Sequence, residues 1–342
     1  YAKNNSRKSM VISNSLIKWL RALSLLFLIF LFSSCSNKTY QNSDGTQYKK
    51  SIFETLRWLV ERDLPASLEI EFLEISDVKV DITEAAIWIG HSTFLINNGE
   101  INILIDPVFS ERVSPFSFIG PKRMIPPAIE INQLPKIDIV LISHNHYDHL
   151  DIASLRKLSN INNKTIFLVP EGDKRLLDNE NIKNTFEFEW WDNFELYGTK
   201  FTFTPAKHWS ARGLFDDSRS LWGSWHIKNK NLSLFHAGDT GYSDDFKLIK
   251  KRLGKIDLAL IPIGAYSPYW FEGYSHVTPD EAIQIAIDLK ATKSIGMHWG
   301  TFILSDEPIL EPKEWLKNSS KKGNLDFVTV KPGELIELSF EF

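Results

Sequence analysis

The apolar residues beyond residue 50 form one helical stretch followed by a series of short runs typical of strands. Ile52–Arg62 carries apolar side chains at helical spacing, which predicts an amphipathic helix. Three later runs, Ala85–Ile89, Ser92–Ile96 and Ile101–Ile105, are short and rich in β-branched residues, which predicts strands. Asn98-Gly99 between the last two runs is a strong hairpin signal. The folded part of the chain therefore begins with a helix and continues as a sheet.

Further apolar runs predict a second group of strands and two more helices. Ile137–Ser143 is nearly all apolar, as expected of a strand buried on both faces. Asp151 can cap a helix through Leu158, and Thr278-Pro279-Asp280-Glu281 is a capping box that begins a helix ending at Lys290. The other predicted strands are Thr165–Val169, Phe186–Trp190, Lys200–Thr204, Leu221–Ile227, Leu232–His236, Leu258–Ile263 and Lys293–Met297. Two sets of strands separated by helices indicate an α/β protein, with two stacked sheets between helical layers.

The composition is that of a globular, acidic protein. The chain has 342 residues, of which 43% are hydrophobic, and this is enough for a sizeable core in one main domain. The formal net charge is −4. The first 34 residues hold basic side chains and no acidic ones, so the rest of the chain is more acidic still. An acidic body without a long basic run argues against nucleic acid as a partner.

The N-terminal residues have the pattern of an exported, lipid-anchored protein. Lys18 and Arg21 precede the apolar run Ala22–Phe32, and small residues lead into Cys35, which is the single cysteine. A run of this length is typical of a signal peptide, because it is too short to span a bilayer comfortably. The residues before Cys35 resemble the lipobox of bacterial lipoproteins, which implies cleavage after residue 34 and lipidation of Cys35. The alternative is a signal anchor that is not cleaved.

Four side chains that can bind metal ions are packed into the segment His144–His149. With nine histidines in the chain, three at these offsets are not expected by chance. Alternate residues at the end of an extended segment point the same way, so His144 and His146 can share one cation. Asp148 and His149 lie past that point and can face a second cation. The carboxyl end of a strand is also where α/β sheets place their ligands.

Four side chains cannot complete two metal sites, so other parts of the chain must contribute. His208, Asp239 and His298 each follow a predicted strand. Taken singly, each has an equally good structural interpretation, as a capping Asp or a hydrogen-bonded core His. Their shared position at strand ends favours metal binding. A single cysteine leaves nitrogen and oxygen ligands, which suit zinc, with manganese or iron as alternatives.

Eight short segments carry a resemblance to a known family. They are Trp88–Thr93, Asp106–Ser110, Ile119–Arg123, Ser143–Asp151, Leu221–Trp225, Ala237–Tyr242, Ile261–Tyr266 and His298–Phe302. With these segments the sequence resembles the metallo-β-lactamase superfamily and, within it, the N-acylphosphatidylethanolamine-hydrolysing phospholipase D family. The His-x-His-x-Asp-His element marks only the superfamily, whereas the other segments together mark the family. The match extends from Ser51 to the C-terminus.

The resemblance implies a four-layer αββα metallo-β-lactamase sandwich that binds two zinc ions. The ligands it implies for the first zinc are His144, His146 and His208. Those for the second zinc are Asp148, His149 and His298. Asp239 would bridge the two ions and belong to the catalytic centre. His276 matches a family histidine that lies near the reacting phosphate and does not bind metal.

The implied reaction is hydrolysis of N-acylphosphatidylethanolamine to an N-acylethanolamine and phosphatidic acid. Two cations about 3.5 to 4 Å apart can activate a bridging water and neutralise the attacked and leaving oxygens of a phosphodiester. The first alternative is a hydrolase with the same site that acts on a soluble phosphoester or a sugar-phosphate lactone. A di-iron redox protein and a noncatalytic envelope-binding protein are weaker candidates.

These interpretations divide the chain into three parts. Residues 1–34 are expected to be a lipoprotein signal peptide, residues 35–50 a flexible tether, and residues 51–342 the catalytic domain. Lipidated Cys35 would hold the protein at a membrane of the bacterial cell envelope, on the periplasmic side or in the outer membrane. The expected partner is a phospholipid or another phosphodiester. The oligomeric state is left open, with a homodimer as one option.

Aromatic residues outside the metal-binding segments have two interpretations. Phe116, Phe118 and the stretch Tyr266–Tyr274 form either the wall of an acyl-chain groove or a surface that enters lipid. Ordinary core packing explains them equally well, because the chain contains eleven tryptophans and is rich in aromatic residues throughout.

Three further histidines are not predicted to bind metal. His91 either supports the metal centre from outside or is a turn residue that fixes Asp106 or nearby backbone. His226 and His236 lie within strand patterns and are expected to be structural.

Overall fold

A computed structural model describes residues 38–48, 51–62, 65, 78, 80–213, 215–323 and 325–340. The predicted signal peptide and Cys35 lie outside these residues. Thr39–Phe342 forms one structural unit. Within the described ranges, no helix is both long and apolar enough to span a bilayer.

Seven strands form the first sheet. In spatial order they are β14 (Leu335–Glu337), β1 (Ala85–Gly90), β2 (Thr93–Asn97), β3 (Asn102–Ile105), β4 (Ile139–Leu141), β5 (Ile166–Pro170) and β6 (Thr185–Phe188). Strands β14 to β3 pair antiparallel, and β3 to β6 pair parallel. Asn98-Gly99 joins β2 to β3 as a hairpin, as predicted from the sequence.

Seven more strands form the second sheet. In spatial order they are β7 (Asn193–Leu196), β8 (Thr199–Thr204), β9 (Ser224–Lys228), β10 (Ser233–His236), β11 (Ile256–Pro262), β12 (Ala291–Met297) and β13 (Phe327–Val328). Strands β7 to β10 are antiparallel, and β10 to β13 are parallel. Strand β11 is buried at every position, because it has neighbours on both sides and layers on both faces.

Helices accompany both sheets. They are α1 (Ile52–Glu61), α2 (Ile152–Ile161), α3 (Lys174–Asn179), α4 (Asp245–Leu253), α5 (Tyr269–Glu272), α6 (Pro279–Leu289) and α7 (Glu311–Gly323). Side chains cap three of them, and the caps at Thr278 and Asp151 are those predicted from the sequence. Ser51 and Glu54 form a capping box on α1, and Thr278 and Glu281 form another on α6. The Asp151 side chain caps α2 by accepting from the N–H of Ala153.

Two apolar layers join these elements into a sandwich. Trp225 of β9 packs between the sheets, with its ring 5.3 Å from Phe188 of the first sheet and 4.8 Å from Phe203 of its own. Leu155 and Leu177 of α2 and α3 pack on the other face of the first sheet. Helices α4 and α6 belong to the core cluster of the second sheet. The predicted αββα architecture is confirmed.

Residues 38–48 differ from the flexible tether predicted for residues 35–50. Asn42 is only 4% exposed, and the N–H of Tyr40 donates to the carbonyl of Ser218. The segment turns back on itself, since Asn42 and Thr46 are joined by a backbone hydrogen bond. Its polar composition resembles that of a linker, but its amides and hydroxyls find partners on the domain surface. Residues 39–48 therefore belong to the folded unit.

Candidate metal centre

The predicted ligands converge where strands of both sheets end. The segment His144–His149 follows β4 of the first sheet. His208, Asp239 and His298 follow β8, β10 and β12 of the second sheet. All of these side chains are buried except those of His146 and Asp148, which are partly accessible. The strand pattern thus brings residues from four parts of the chain to one end of the sandwich.

Three histidines form the first group of potential ligands. The Nε2 of His144 lies 2.9 Å from Nδ1 of His146, and the Nε2 of His208 lies 3.2 Å from the same atom. One nitrogen from each ring falls within 4.8 Å of the others. Three imidazoles at this separation can bind a single cation.

The second group contains Asp148, His149 and His298. Oδ2 of Asp148 lies 3.4 Å from Nε2 of His298 and 3.6 Å from Nε2 of His149. His91 joins this group geometrically, because its Nε2 donates to Oδ2 of Asp148 over 2.9 Å. His91 therefore contacts Asp148 and supports the centre, rather than fixing Asp106.

Asp239 lies between the two groups. Its Oδ2 is 3.0 Å from Nε2 of His298 and 3.2 Å from Nε2 of His149. The same oxygen is 3.9 Å from Nε2 of His144 and 4.0 Å from Nε2 of His208. A carboxylate that reaches both sets of imidazoles is positioned to bridge two cations.

Unsatisfied polar atoms indicate that the group suits metal ions. Buried polar atoms normally have hydrogen-bond partners, because an unpaired one costs free energy. Among the described residues, Nε2 of His149, Nε2 of His298 and Oδ1 of Asp239 make no hydrogen bond of good geometry, although carboxylate oxygens lie near both nitrogens. These nitrogens and this oxygen are the kinds of atom that bind zinc. The residues present therefore fit the metal that the family resemblance implies.

Hydrogen bonds from outside the group orient its imidazoles. Asp106 accepts from Nδ1 of His149 over 2.8 Å and from the Ser143 hydroxyl over 2.6 Å. Nδ1 of His208 donates to the carbonyl of Ser275 over 3.0 Å. Because Nδ1 is engaged in both His149 and His208, Nε2 of each ring faces the centre. These hydrogen bonds fix the ring orientation that metal binding requires.

Burial sets the charge of several groups. It lowers the pKa of His146 and His208 to about 3, so both rings are neutral at pH 7, as metal ligands must be. Burial opposes ionisation of Asp148 and Asp239, but the neighbouring imidazoles outweigh it and hold the pKa of both carboxyls well below the usual value. His146 and His208 are therefore neutral nitrogen ligands, and Asp148 and Asp239 are negative oxygen ligands.

Two histidines hold protons when no cation is bound. Burial disfavours the charged form of His298, but the carboxylates of Asp239 and Asp148 outweigh burial and raise its pKa to about 9. The pKa of His149 is raised against burial by the same two carboxylates. A cation that binds these rings must displace their protons, so metal binding releases protons to the solvent.

A cavity of about 310 Å³ opens onto the centre. His146, Asp148, Asp239 and His276 line its polar side, and Nδ1 of His276 is 3.8 Å from Oδ2 of Asp239. The rest of the wall consists of Val113, Tyr147, Trp209, Ala211, Ala265, Glu272 and Leu304. Most of these side chains are apolar, so the cavity can hold a substrate with a polar reacting end and an apolar remainder.

The other histidines and aromatic residues singled out in the sequence lie either in the core or on the surface. His226 and His236 are structural as predicted, since their Nε2 atoms donate to the Ser233 hydroxyl and the Ser92 carbonyl. Tyr266 is buried and donates to Glu311. By contrast, Phe116, Phe118, Tyr269 and Trp270 are exposed.

Sequence reasoning missed several residues that touch the ligands. Ser275 carries the carbonyl that holds His208, and Glu272 lies in the wall of the cavity. Asn42 accepts from the backbone N–H of His208. None of these belongs to a recognisable pattern of metal-binding residues, and Asn42 lies in a polar segment that predicts no structure. Asp106 is the exception, because it directly follows an apolar run that predicts a strand, as the ligands themselves do.

Comparison with known proteins agrees with this fold and site. A family model described as a beta-lactamase superfamily domain matches residues 101–299. The solved structure of Igni18, a metallo hydrolase from the archaeon Ignicoccus hospitalis, is similar with a TM-score of 0.56 and 21% identity. The alignment covers 75% of this chain and 99% of that one. The fold and the His/Asp cluster together define a metal-dependent hydrolase.

Two curated relatives identify a family within this class of hydrolases. The N-acyl-phosphatidylethanolamine-hydrolyzing phospholipase D 1 of Caenorhabditis elegans is 36% identical over 325 residues, which are 88% of this chain and 91% of that protein. The mitochondrial N-acyl-phosphatidylethanolamine-hydrolyzing phospholipase D of Saccharomyces cerevisiae is 42% identical over 246 residues, 69% of this chain and 52% of that protein. The chain belongs to the beta-lactamase superfamily and, within it, to the N-acyl-phosphatidylethanolamine-hydrolyzing phospholipase D family.

Proposed function

We propose that this protein hydrolyses N-acylphosphatidylethanolamine, releasing an N-acylethanolamine and phosphatidic acid, at a centre that binds two zinc ions. The observation that carries the proposal is the position of Asp239 Oδ2, within 4.0 Å of imidazoles from both ligand groups. The names of the relatives from Caenorhabditis elegans and Saccharomyces cerevisiae support the substrate.

In this proposal, the first zinc site consists of His144, His146 and His208. The second zinc site consists of Asp148, His149 and His298. Asp239 is shared between them. Zinc would supply Lewis acidity and lower the pKa of a bound water. The neutral imidazoles of His146 and His208 and the negative carboxylates of Asp148 and Asp239 are already in the forms that bind zinc, whereas His149 and His298 would lose a proton on binding it.

His276 binds the substrate phosphate in this proposal. It lines the cavity beside Asp239 and is partly exposed, with a side-chain accessibility of 13%. An imidazole in this position can donate a hydrogen bond to a phosphoryl oxygen as negative charge develops there. Replacing it should lower turnover without removing the metal ions, because it is not one of the proposed ligands.

An exposed apolar loop beside the cavity supports a lipid substrate. Phe116 is 56% exposed, Phe118 78% and Ile119 57%. The loop is held in this shape, since the Ser114 hydroxyl donates to the Phe116 carbonyl and Arg112 donates to the Gly120 carbonyl. Val113, in the same loop, lines the cavity. We propose that this loop enters the lipid surface and brings the cavity to its substrate.

The N-terminal part of the proposal rests on the sequence alone. Signal cleavage after residue 34 and lipidation of Cys35 would hold the enzyme at the bacterial envelope, next to its substrate. Incorporation of labelled palmitate into the wild type but not into Cys35→Ser is the expected result. Equal labelling of the two proteins, or no labelling of either, would show that Cys35 is not lipidated.

The test of the activity is a substrate comparison on the zinc-loaded protein. Release of phosphatidic acid and an N-acylethanolamine is measured from N-acylphosphatidylethanolamine vesicles, beside hydrolysis of soluble phosphodiesters and a sugar-phosphate lactone. The wild type is expected to prefer the lipid, and Asp239→Ala to be inactive on every substrate. Activity on a soluble ester or lactone without activity on the lipid would instead establish the alternative function.

A further inference from the structure

Residues 39–48 form an ordered strap that contacts the metal centre. Backbone hydrogen bonds from Gly45 to Asn42 and from Asn42 to Thr46 close it into a turn, and Asp44 accepts from the N–H of Thr46. The turn directs the Asn42 side chain inward, where it is 4% exposed. The strap is fastened outside the centre by Ser43, whose hydroxyl donates to Asp245 of α4 over 2.7 Å.

The amide of Asn42 makes three hydrogen bonds, two of them buried and one partly buried. Its Oδ1 accepts from the backbone N–H of His208 over 3.0 Å and from Nε1 of Trp222 over 2.9 Å. Its Nδ2 donates to the hydroxyl of Tyr274 over 2.9 Å. A buried amide with oxygen and nitrogen both engaged fixes the distance between the groups it joins.

These contacts hold His208 from two sides. Asn42 restrains the main chain of His208 directly. It also restrains Tyr274, and the next residue, Ser275, carries the carbonyl that accepts from Nδ1 of His208. Backbone position and ring orientation of this proposed ligand therefore both depend on the strap.

The effect of losing Asn42 would fall mainly on His208. Nε1 of Trp222 also donates to the carbonyl of Ala206, and the Tyr274 hydroxyl also donates to Thr46. Both groups would therefore keep a partner. Among the described contacts, the N–H of His208 has no acceptor other than Asn42. This N–H would be left buried and unpaired, which is unfavourable unless the backbone moves.

We propose that Asn42 is a positioning residue for the metal site that contains His208, and that the strap 39–48 completes this site. The inference rests on the metal centre of the proposed function. We expect the effect to be confined to the site that contains His208. Among the described residues, Asp148, His149 and His298 make no hydrogen bond with Asn42. Outer partners of metal ligands typically change metal affinity by about 10- to 100-fold.

The test compares zinc affinities of variants of the full chain. Asn42→Ala removes the acceptor, Asn42→Asp keeps an oxygen for the N–H of His208, and Ser43→Ala removes a strap contact that does not reach the centre. Zinc binding is measured by competition with a chromophoric chelator, and site geometry by the absorption spectrum of the cobalt-loaded protein. If Asn42→Ala does not fold, Asn42→Gln, which displaces the amide by one methylene, replaces it.

The expected result is that Asn42→Ala weakens one of the two zinc sites by about 10- to 100-fold and alters the cobalt spectrum. Asn42→Asp and Ser43→Ala should keep the affinity of the wild type. Equal zinc affinity of folded Asn42→Ala and the wild type would overturn the inference, as would an equal loss in Ser43→Ala. A wild type that binds fewer than two zinc ions would instead refute the proposed metal centre.

Discussion

The ligand side chains are oriented by hydrogen bonds from residues that are distant in sequence. Asp106 is 43 positions from His149, and the carbonyl of Ser275 is 67 positions from His208. The ligands themselves could be predicted, because each follows a strand signal and has the chemistry of a metal ligand. Their partners could not, because such contacts arise only when parts of the chain that are distant in sequence come together in the fold.

Asp106→Asn tests this outer support. The variant keeps an acceptor for Ser143 but loses the negative charge that faces Nδ1 of His149. Zinc affinity is expected to fall by about tenfold or more. Asp257→Asn is the matched control, because Asp257 is also buried but accepts from the N–H of Ser233 away from the centre. Equal affinities of Asp106→Asn and the wild type in chelator competition would contradict this role.

A second residue-scale prediction concerns Asp173, which accepts from Nδ2 of Asn145 over 2.8 Å. Burial raises its pKa from 3.8 to about 7, although the hydrogen bonds and Arg212 oppose this. Between pH 3.8 and about 7, the folded state therefore binds more protons than the unfolded state. The stabilising contribution of the protonated carboxyl is complete below pH 3.8 and is lost as the pH rises through about 7.

Asp173→Asn should remove this pH dependence. Urea unfolding with metal chelated is measured for both proteins from pH 5 to 8. The free energy of unfolding of the wild type, relative to the variant, should fall by about 1.4 kcal/mol per pH unit between pH 5 and 7. A difference between the two proteins that does not change with pH would show that Asp173 is ionised throughout.

At the scale of elements, capped and strongly periodic segments could be predicted, whereas short or polar ones could not. The helix that begins at Ile52 is predicted by its apolar spacing, and the helix that begins at Pro279 by its capping box. Helix α7 was not predicted, because its sequence is rich in lysine and contains few apolar residues. The edge strands β13 and β14 have two and three residues, too short for an alternating pattern.

The loop that carries Phe118 gives an element-scale prediction. Transfer of a phenylalanine side chain out of water is worth about 1.5–3 kcal/mol. Phe118→Ser should therefore weaken vesicle binding by about tenfold and slow hydrolysis of vesicle lipid. Hydrolysis of a soluble phosphodiester should be unchanged.

The control is Tyr197→Ser, an aromatic residue that is 71% exposed in the turn before β8, at the opposite end of that strand from His208. Sedimentation with vesicles measures binding. If Phe118→Ser and Tyr197→Ser sediment equally well, the loop does not enter the lipid.

At the scale of the whole molecule, the candidate ligands belong to both sheets. His144, His146, Asp148 and His149 follow a strand of the first sheet, whereas His208, Asp239 and His298 follow strands of the second. The sequence predicted two sheets but not how their ends would align. Bound metal would join the two halves of the sandwich and stabilise their packing.

Chelation should therefore destabilise the whole domain. A ligand present at 100 times its Kd contributes about 2.7 kcal/mol per site. For two zinc sites, a fall in Tm of roughly 10 °C on chelation is expected by calorimetry. The Asp239→Ala variant should respond much less. A wild type whose Tm does not change on chelation would show that metal does not link the sheets.

Whether two zinc ions at this centre hydrolyse a phospholipid is measured directly by a zinc titration. Metal-free protein receives increasing zinc while the release of phosphatidic acid from N-acylphosphatidylethanolamine vesicles is followed. We expect activity to rise to a plateau at about two zinc ions per chain. A plateau at one zinc ion per chain, or no phosphatidic acid at any zinc ratio, would contradict it.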